Sequence, residues 1–191
     1  LLKNGNSRAV ENEILASKIC RCFDCRQVLY EESMFDGQKV SKSRIITSVD
    51  YSMVSMEAFE IYAANHDIHV MDFVLKLDAY TYYMMNLLDY LIGNTDRHWG
   101  NWGFLVDNRA NQPVRLFDLM DLNQTFLAYD TPDGANCMTT GNRKMSQREA
   151  AVEAVKKIGL NQRAEIKDEW FEGREKEREM FWCRFGILKE Q

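Results

Sequence analysis

Apolar residues recur at helical spacing near the start of the chain. Positions 10, 14, 15 and 19 are apolar within residues 10–20, which predicts an amphipathic helix. Ahead of it, residues 1–3 are typical of the end of a strand, and the turn-prone residues 4–7 separate the two elements. The chain is therefore predicted to begin inside a sheet.

Short β-like runs follow the first helix. Residues 27–31 and 39–47 have strand composition, and they flank residues 35–38, where an Asp-Gly step favours a tight turn. Residues 1–50 are therefore predicted to form an α+β unit of one strand, one helix and further short strands.

From about Ser55 the pattern becomes mainly helical. Helices are predicted over residues 56–64, 72–77 and 80–92, and Gly93 is placed to end the last of them. Apolar positions 84, 87, 88 and 91 give that last helix a buried face. Residues 51–191 are thus predicted to be a helical unit.

A hairpin and two later helices complete the predicted elements. Apolar runs at residues 102–106 and 114–117 predict the hairpin, and residues 128–145 predict a long loop. Helices are predicted over residues 149–158, which a capping box precedes, and over residues 163–185.

Composition and charge exclude several classes of protein. The 191 residues are 46% hydrophobic and 12% aromatic, which is enough apolar material for one large or two small cores. Lys and Arg total 24 against 29 Asp and Glu, a net charge of -5, so there is no global basic field for a nucleic-acid partner. No apolar run is long enough to cross a membrane.

The five cysteines indicate a reducing compartment. Their number is odd and the sequence has no signal-peptide pattern, so reduced thiols and a cytoplasmic location are expected. Cys20, Cys22 and Cys25 are clustered, yet a structural zinc site needs four ligands, and the other thiols lie more than a hundred residues away. Cys20 is instead expected to pack at the end of the first helix.

The candidate chemistry lies on the loop after Gly93. Asp96 is suited to accept a hydroxyl proton, and Asn101, five residues later, to coordinate Mg²⁺. Arg97 and His98 add positive charge or hydrogen-bond donors beside the developing charge of a transferring phosphate. This spacing predicts the catalytic half of a phosphoryl-transfer site.

A second metal ligand is expected downstream of the hairpin. Asp118 directly follows an apolar strand and is favoured, while Asp121, three residues later, is the competing ligand. Each piece also has a structural alternative, since Asn94 to Asp96 can cap a helix, Asn101 can bind loop backbone and Asp118 can open a turn. The ordered set favours catalytic use.

The loop 93–104 resembles the catalytic loop of HipA-like serine/threonine kinases, which are bacterial members of the protein-kinase-like fold. The resemblance implies an α+β kinase fold with a small N-lobe, a helical C-lobe and a hairpin that carries the metal site. It implies an ATP- and Mg²⁺-dependent phosphotransferase with a Ser/Thr protein substrate, Asp96 as base, and Asn101 and Asp118 as metal ligands. A looser likeness to phosphoinositide lipid kinases leaves a lipid or small-molecule kinase as an alternative.

The same resemblance extends upstream. Lys3 and Glu13, which is favoured over Glu11, resemble the lysine and glutamate that pair in kinases to bind nucleotide phosphates. Residues 45–51 would be the last N-lobe strand and the hinge for adenine, with Ser48 and Asp50 as nucleotide-binding candidates. No Gly-rich phosphate loop precedes Lys3, so a partial N-lobe is expected, and an inactive kinase-like interaction domain remains the alternative.

Overall fold

A three-stranded antiparallel sheet and one helix form the first part of the molecule. The computed structural model describes residues 1–3, 6–127, 129–141 and 144–191, so the predicted turn at 4–7 and loop at 128–145 each lie partly outside the described residues. The elements are β1 (Leu2–Lys3), α1 (Ser7–Cys20), β2 (Tyr30–Phe35) and β3 (Gln38–Ser43), with strand order β1-β3-β2. The helix begins one residue after Asn6, whose side chain accepts a hydrogen bond from the backbone N–H of Ala9 at 2.8 Å.

The predicted Asp-Gly turn joins β2 to β3. Asp36 and Gly37 have φ angles of 49° and 72°, and two positive φ angles are what the tightest hairpin turns require. The strand β3 is shorter than predicted, because it ends at Ser43 rather than at residue 47. In the described part of the chain, residues 45–47 make no backbone–backbone hydrogen bond, and Ile45 is 67% exposed.

A second antiparallel sheet starts at Tyr51. It contains β4 (Tyr51–Ser55), β5 (Gly103–Asp107) and β6 (Gln112–Leu116) in the order β4-β5-β6. The β5-β6 hairpin was predicted. The strand predicted at residues 45–51 is wrong in position, because residues 45–50 are not in a strand and β4 begins only at Tyr51. Gly103 allows the close approach of β4 to β5, because a Cβ there would lie 2.1 Å from the carbonyl oxygen of Val54.

Two helices contact this second sheet, and two later helices pack against the longer of them. They are α2 (Met56–Ala64), α3 (Val70–Ile92), α4 (Gln147–Ile158) and α5 (Glu175–Lys189). Asp78, with φ -156°, bends α3 at the gap between the two helices predicted at 72–77 and 80–92. Its carboxylate accepts from the backbone N–H of Thr81 at 3.2 Å and of Leu116 at 3.1 Å, which fixes the bend against β6.

The last two helices test the later predictions differently. The capping box of Ser146 and Glu149 starts α4, and Gly159, with φ 78°, follows its end, as predicted. The single helix predicted over 163–185 is wrong in its first half. A short 3-10 turn at Asp168–Phe171 precedes Gly173, which has φ 70°, so α5 begins only at Glu175.

The apolar core is continuous from α1 to α5 and centres on the second half of α3. Met84, Leu87, Leu88, Leu91 and Ile92 have no exposed surface. Burying each such side chain contributes about 1.5–3 kcal/mol, so this segment is the most firmly held part of the chain. Among the described residues, no helix is both long and apolar enough to cross a membrane.

Candidate active site

The candidate catalytic loop leaves α3 through a turn that only glycine fits. Gly93 lies in the left-handed region at φ 60° and forms the predicted C-cap of α3. A Cβ on Gly93 would also lie 2.2 Å from the ring of Tyr129. The direction in which the chain enters the loop is therefore fixed both by backbone geometry and by packing.

A buried ion pair organises the loop. Arg97 donates from Nε and Nη2 to the two carboxylate oxygens of Asp89 at 2.9 Å and 3.0 Å. Its Nη1 donates to the carbonyl oxygens of Asn101 at 2.9 Å and Met120 at 2.6 Å. Burial alone would lower the pKa of Arg97, but the charge and hydrogen bonds of Asp89 outweigh it and raise that pKa.

This geometry favours a structural role for Arg97 over the predicted contact with phosphate. Its side chain is only 3% exposed, and among the described residues its donors are directed to Asp89 and to the carbonyl oxygens of Asn101 and Met120. It instead fastens the loop to the segment that carries Asp121. Asp89 was not predicted as a site residue, although a carboxylate on the apolar face of a buried helix signals a buried partner.

Asp96 and Asn101 lie side by side on the loop. The amide nitrogen of Asn101 donates to the carbonyl oxygen of Asp96 at 2.8 Å and lies 3.5 Å from its Oδ2. Asn101 Oδ1 has no hydrogen-bond partner among the described residues, which leaves it able to coordinate a cation. The carboxylate of Asp96 belongs to a side chain that is 45% exposed.

His98 lies beside Asp96 and is half exposed. Its Nδ1 accepts from the backbone N–H of Gly100 at 3.0 Å, so the proton of the neutral ring is on Nε2. That nitrogen lies 3.9 Å from Asp96 Oδ1. His98 therefore presents a donor toward the carboxylate predicted to act as the base.

Lys3 joins two carboxylates at the junction of the two sheets. Its Nζ donates to Glu13 Oε1 at 3.2 Å and to Asp121 Oδ1. The other oxygen of Glu13 accepts from Ser41, and the Glu13 side chain is 1% exposed. Burial would lower the pKa of Lys3, but the hydrogen bond to Asp121 and the charges of Glu13 and Asp121 raise it. Glu11, the alternative to Glu13, pairs with other basic side chains instead.

The two candidate metal carboxylates have different surroundings. Asp121 is 31% exposed, has one oxygen free of partners among the described residues, and lies at φ 57°, which is unusual for a residue with a side chain. Its backbone N–H donates to the hydroxyl of Tyr30 at 3.1 Å. Asp118 is 14% exposed and is paired with Arg115 at 2.5 Å. The segment that Arg97 binds through the carbonyl oxygen of Met120 therefore continues directly into Asp121, whereas Asp118 is paired elsewhere.

The predicted nucleotide-binding pair Ser48 and Asp50 lies in the turn before β4. Ser48 Oγ accepts from the backbone N–H groups of Asp50 and Tyr51 at 3.1 Å and 3.2 Å. The carboxylate of Asp50 is paired with Arg109 at 2.7 Å. Both side chains thus shape the end of the segment between the sheets, while the backbone groups of residues 45–47 have no backbone partner among the residues that the structure describes.

A small sheet with its packed helix precedes the helical second part, which carries the candidate loop between α3 and β5. This arrangement is that of a kinase-like fold. The crystal structure of the proinflammatory kinase CtkA of Helicobacter pylori is similar to this chain with a TM-score of 0.64 and 14% sequence identity. The similarity covers 99% of this chain and 84% of that one. By sequence, no protein-family model and no curated protein matches.

Proposed function

We propose that the protein is an ATP- and Mg²⁺-dependent kinase, most similar in its loop to the HipA-like serine/threonine kinases. The observation that carries this proposal is the convergence of five side chains that a kinase needs. Lys3, Glu13 and Asp121 are linked by direct contacts. Arg97 donates to the carbonyl oxygens of Met120, which precedes Asp121, and of Asn101, which lies beside Asp96 on the loop.

The donor set suits magnesium. Mg²⁺ prefers oxygen ligands and is usually held by one or two protein groups together with substrate phosphates. Asp121 and Asn101 each offer one oxygen that has no other partner in the described part of the chain, and we propose them as the metal ligands in preference to Asp118. Glu13 is not proposed as a ligand, because both of its oxygens are used by Lys3 and Ser41.

Lys3 is suited to hold the phosphates of the nucleotide. Its side chain is 33% exposed, and the hydrogen bond to Asp121 with the charges of Glu13 and Asp121 raises the pKa of its ammonium group. Glu13 holds the Lys3 ammonium group from the buried side, and Asp121 takes a second of its three N–H donors. The third donor is therefore available to an anion. The free backbone groups at 45–47 are the proposed contacts for adenine.

Asp96 is proposed to accept the proton of the acceptor hydroxyl as that oxygen attacks the terminal phosphorus of ATP. The bond from that phosphorus to the β–γ bridging oxygen breaks at the same time, and ADP leaves. Its exposure lets an acceptor approach, and Asn101 and His98 orient the carboxylate. The proposed acceptor is Ser or Thr of a protein, and the requirement for ATP supports a cytoplasmic location. Lipid or small-molecule acceptors are separated from proteins by a substrate panel.

The proposal is tested by titrating Mg²⁺ and ATP against the wild-type chain and three single variants. Asp121→Asn is expected to abolish Mg²⁺-dependent nucleotide binding, whereas Asp96→Asn is expected to keep binding and lose about 10²–10⁴-fold in phosphate transfer. Asp118→Asn is expected to keep Mg²⁺-dependent binding. Absence of nucleotide binding by the wild-type chain in saturating Mg²⁺ would contradict the proposal, and equal losses in the two Asp→Asn variants at 118 and 121 would contradict the metal assignment.

A further inference from the structure

An open groove runs beside the candidate catalytic loop. Residues 98–100 form its floor, the first turns of α2 form one wall, and residues 136–141 form the other. The side chains that decide its chemistry are Glu57, Glu60, His98, Trp99 and Met138. None of the roles proposed above, except the orientation of Asp96 by His98, uses this surface.

The groove is rigidly attached to the loop. The first backbone N–H groups of α2, those of Met56 and Glu57, donate to the carbonyl oxygens of Trp102 at 2.8 Å and Trp99 at 3.0 Å. On the opposite wall, the indole N–H of Trp99 donates to the carbonyl oxygen of Met138 at 3.1 Å. Both walls therefore keep a fixed position relative to Asp96.

The α2 wall carries two carboxylates for which the described part of the chain supplies no ion-pair partner. Glu57 and Glu60 are both exposed, and within the described part of the chain neither forms an ion pair. Glu57 Oε2 is close enough to the loop that a Cβ on Gly100 would lie 3.6 Å from it. The facing wall offers an apolar contact, because Met138 is 50% exposed.

We infer that this groove binds the acceptor polypeptide, and that it selects a segment with Lys or Arg a few residues from the Ser or Thr. The inference rests on the proposed kinase function. His98, on the groove floor, lies 3.9 Å from Asp96, so a chain lying in the groove passes the proposed base. A positive side chain on that chain meets Glu57 and Glu60, while Met138 and Trp99 contact its apolar parts. A two-carboxylate wall repels an acidic segment at the same place.

Binding is measured without chemistry, by fluorescence anisotropy of labelled peptides in which Ala replaces the acceptor Ser. One peptide carries Lys and Arg around the Ala, and its partner carries Glu at the same positions. The wild-type chain is expected to bind the basic peptide at least about tenfold more tightly, and the preference is expected to weaken with salt because the charges are exposed.

A charge-reversal pair tests the location. Glu57→Lys with Glu60→Lys is expected to remove the preference for the basic peptide, by about tenfold or more in Kd. The matched control is Glu175→Lys with Glu179→Lys, which makes the same change of charge at exposed positions that also start in the first turn of a helix. Equal binding of the two peptides by the wild-type chain, or an equal loss in the control, would overturn the inference. Circular dichroism checks that both variants are folded.

Kinetics separate this inference from the proposed function. With the Ser-containing basic peptide, the reversal at 57 and 60 is expected to raise KM about tenfold and leave kcat unchanged. Phosphate transfer without any preference for basic peptides would reject the groove and leave the kinase proposal standing. Selective peptide binding without any transfer would reject the kinase proposal and keep the groove as a basic-peptide site.

Discussion

Among conservative substitutions in the chain, Asp89→Asn is expected to cause one of the largest losses in the free energy of unfolding. The variant keeps the shape of the side chain but removes the charge that faces Arg97, and an amide offers that guanidinium one acceptor where the carboxylate offers two. Breaking a buried ion pair from one side costs about 3–5 kcal/mol, because the other charge stays buried. Since one acceptor is retained, the expected loss is about 3 kcal/mol.

The measurement is urea unfolding followed by tryptophan fluorescence. Total stabilities of about 5–15 kcal/mol make such a loss a large fraction of the whole, and the midpoint is expected to fall by about 1 M or more with an unchanged slope. Asp24→Asn is the control. Its partner Arg163 is also within hydrogen-bond distance at 2.5 Å, but the two side chains are 41% and 68% exposed, so the loss there is expected to stay below about 1 kcal/mol.

The outcome that would refute the reasoning is a similar, small loss for Asp89→Asn and Asp24→Asn. A second variant separates the charge from the packing. Asp89→Leu combined with Arg97→Met removes both charges, so it is expected to be more stable than Asp89→Asn alone. It is nevertheless expected to lose phosphate transfer, because the carbonyls of Asn101 and Met120 then have no common donor.

Three further changes test other parts of the structure. Gly93→Ala is expected to lower stability in thermal unfolding more than Gly37→Ala does. Both glycines have a positive φ, which costs an alanine about 1 kcal/mol, but only at Gly93 would the added Cβ also collide with the ring of Tyr129. Equal losses of stability would contradict that contact. Lys3→Met is expected to lower stability at neutral pH. Because the pKa of Lys3 is raised in the folded chain, its contribution to the free energy of unfolding is present below the unfolded pKa of 10.5 and is lost as the pH rises through the folded pKa. The difference in stability between the variant and the wild type, measured by urea titration, should therefore shrink at high pH. Ser146→Ala is expected to cost about 1 kcal/mol through loss of the α4 cap, while Ser146→Asp is expected to restore most of it; a loss shared by both variants would count against the capping role.

Local sequence signals were sufficient where a contact lies within one element. The period of apolar residues in α3, the glycine at its end and the capping box of α4 each depend on neighbours a few positions away, and all three predictions are confirmed. The prediction for residues 163–174 is wrong because Gly173, at φ 70°, interrupts the helix and a distant contact holds the residue after it. Arg174 is 8% exposed and donates to Asn12 at 2.8 Å, so the chain there follows α1 and not its own helical propensity.

The side chains of the candidate site also divide into those that the sequence predicted and those that it did not. The pairing of Lys3 with Glu13 was expected from the resemblance to kinases, in which a strand lysine and a helix glutamate pair. The burial of Arg97 does not, because it depends on Asp89, which is eight positions earlier and on the other side of the Gly93 turn. A basic residue next to a proposed base is equally suited to bind phosphate or to hold the loop. Only the position of the counter-charge distinguishes these roles.

The choice between Asp118 and Asp121 depends on where the strand path ends. The sequence favoured Asp118 because the apolar run of β6 stops just before it. The path does not stop there: Leu119 is 4% exposed, donates to the carbonyl oxygen of Arg26 at 3.0 Å and accepts from the backbone N–H of Val28 at 2.9 Å. This contact carries the extended chain past Asp118, whose carboxylate pairs with Arg115. The turn comes only at Asp121, where φ is 57° and the side chain meets Lys3. If the metal ligand lies where the extended segment ends, that residue is Asp121 and not Asp118.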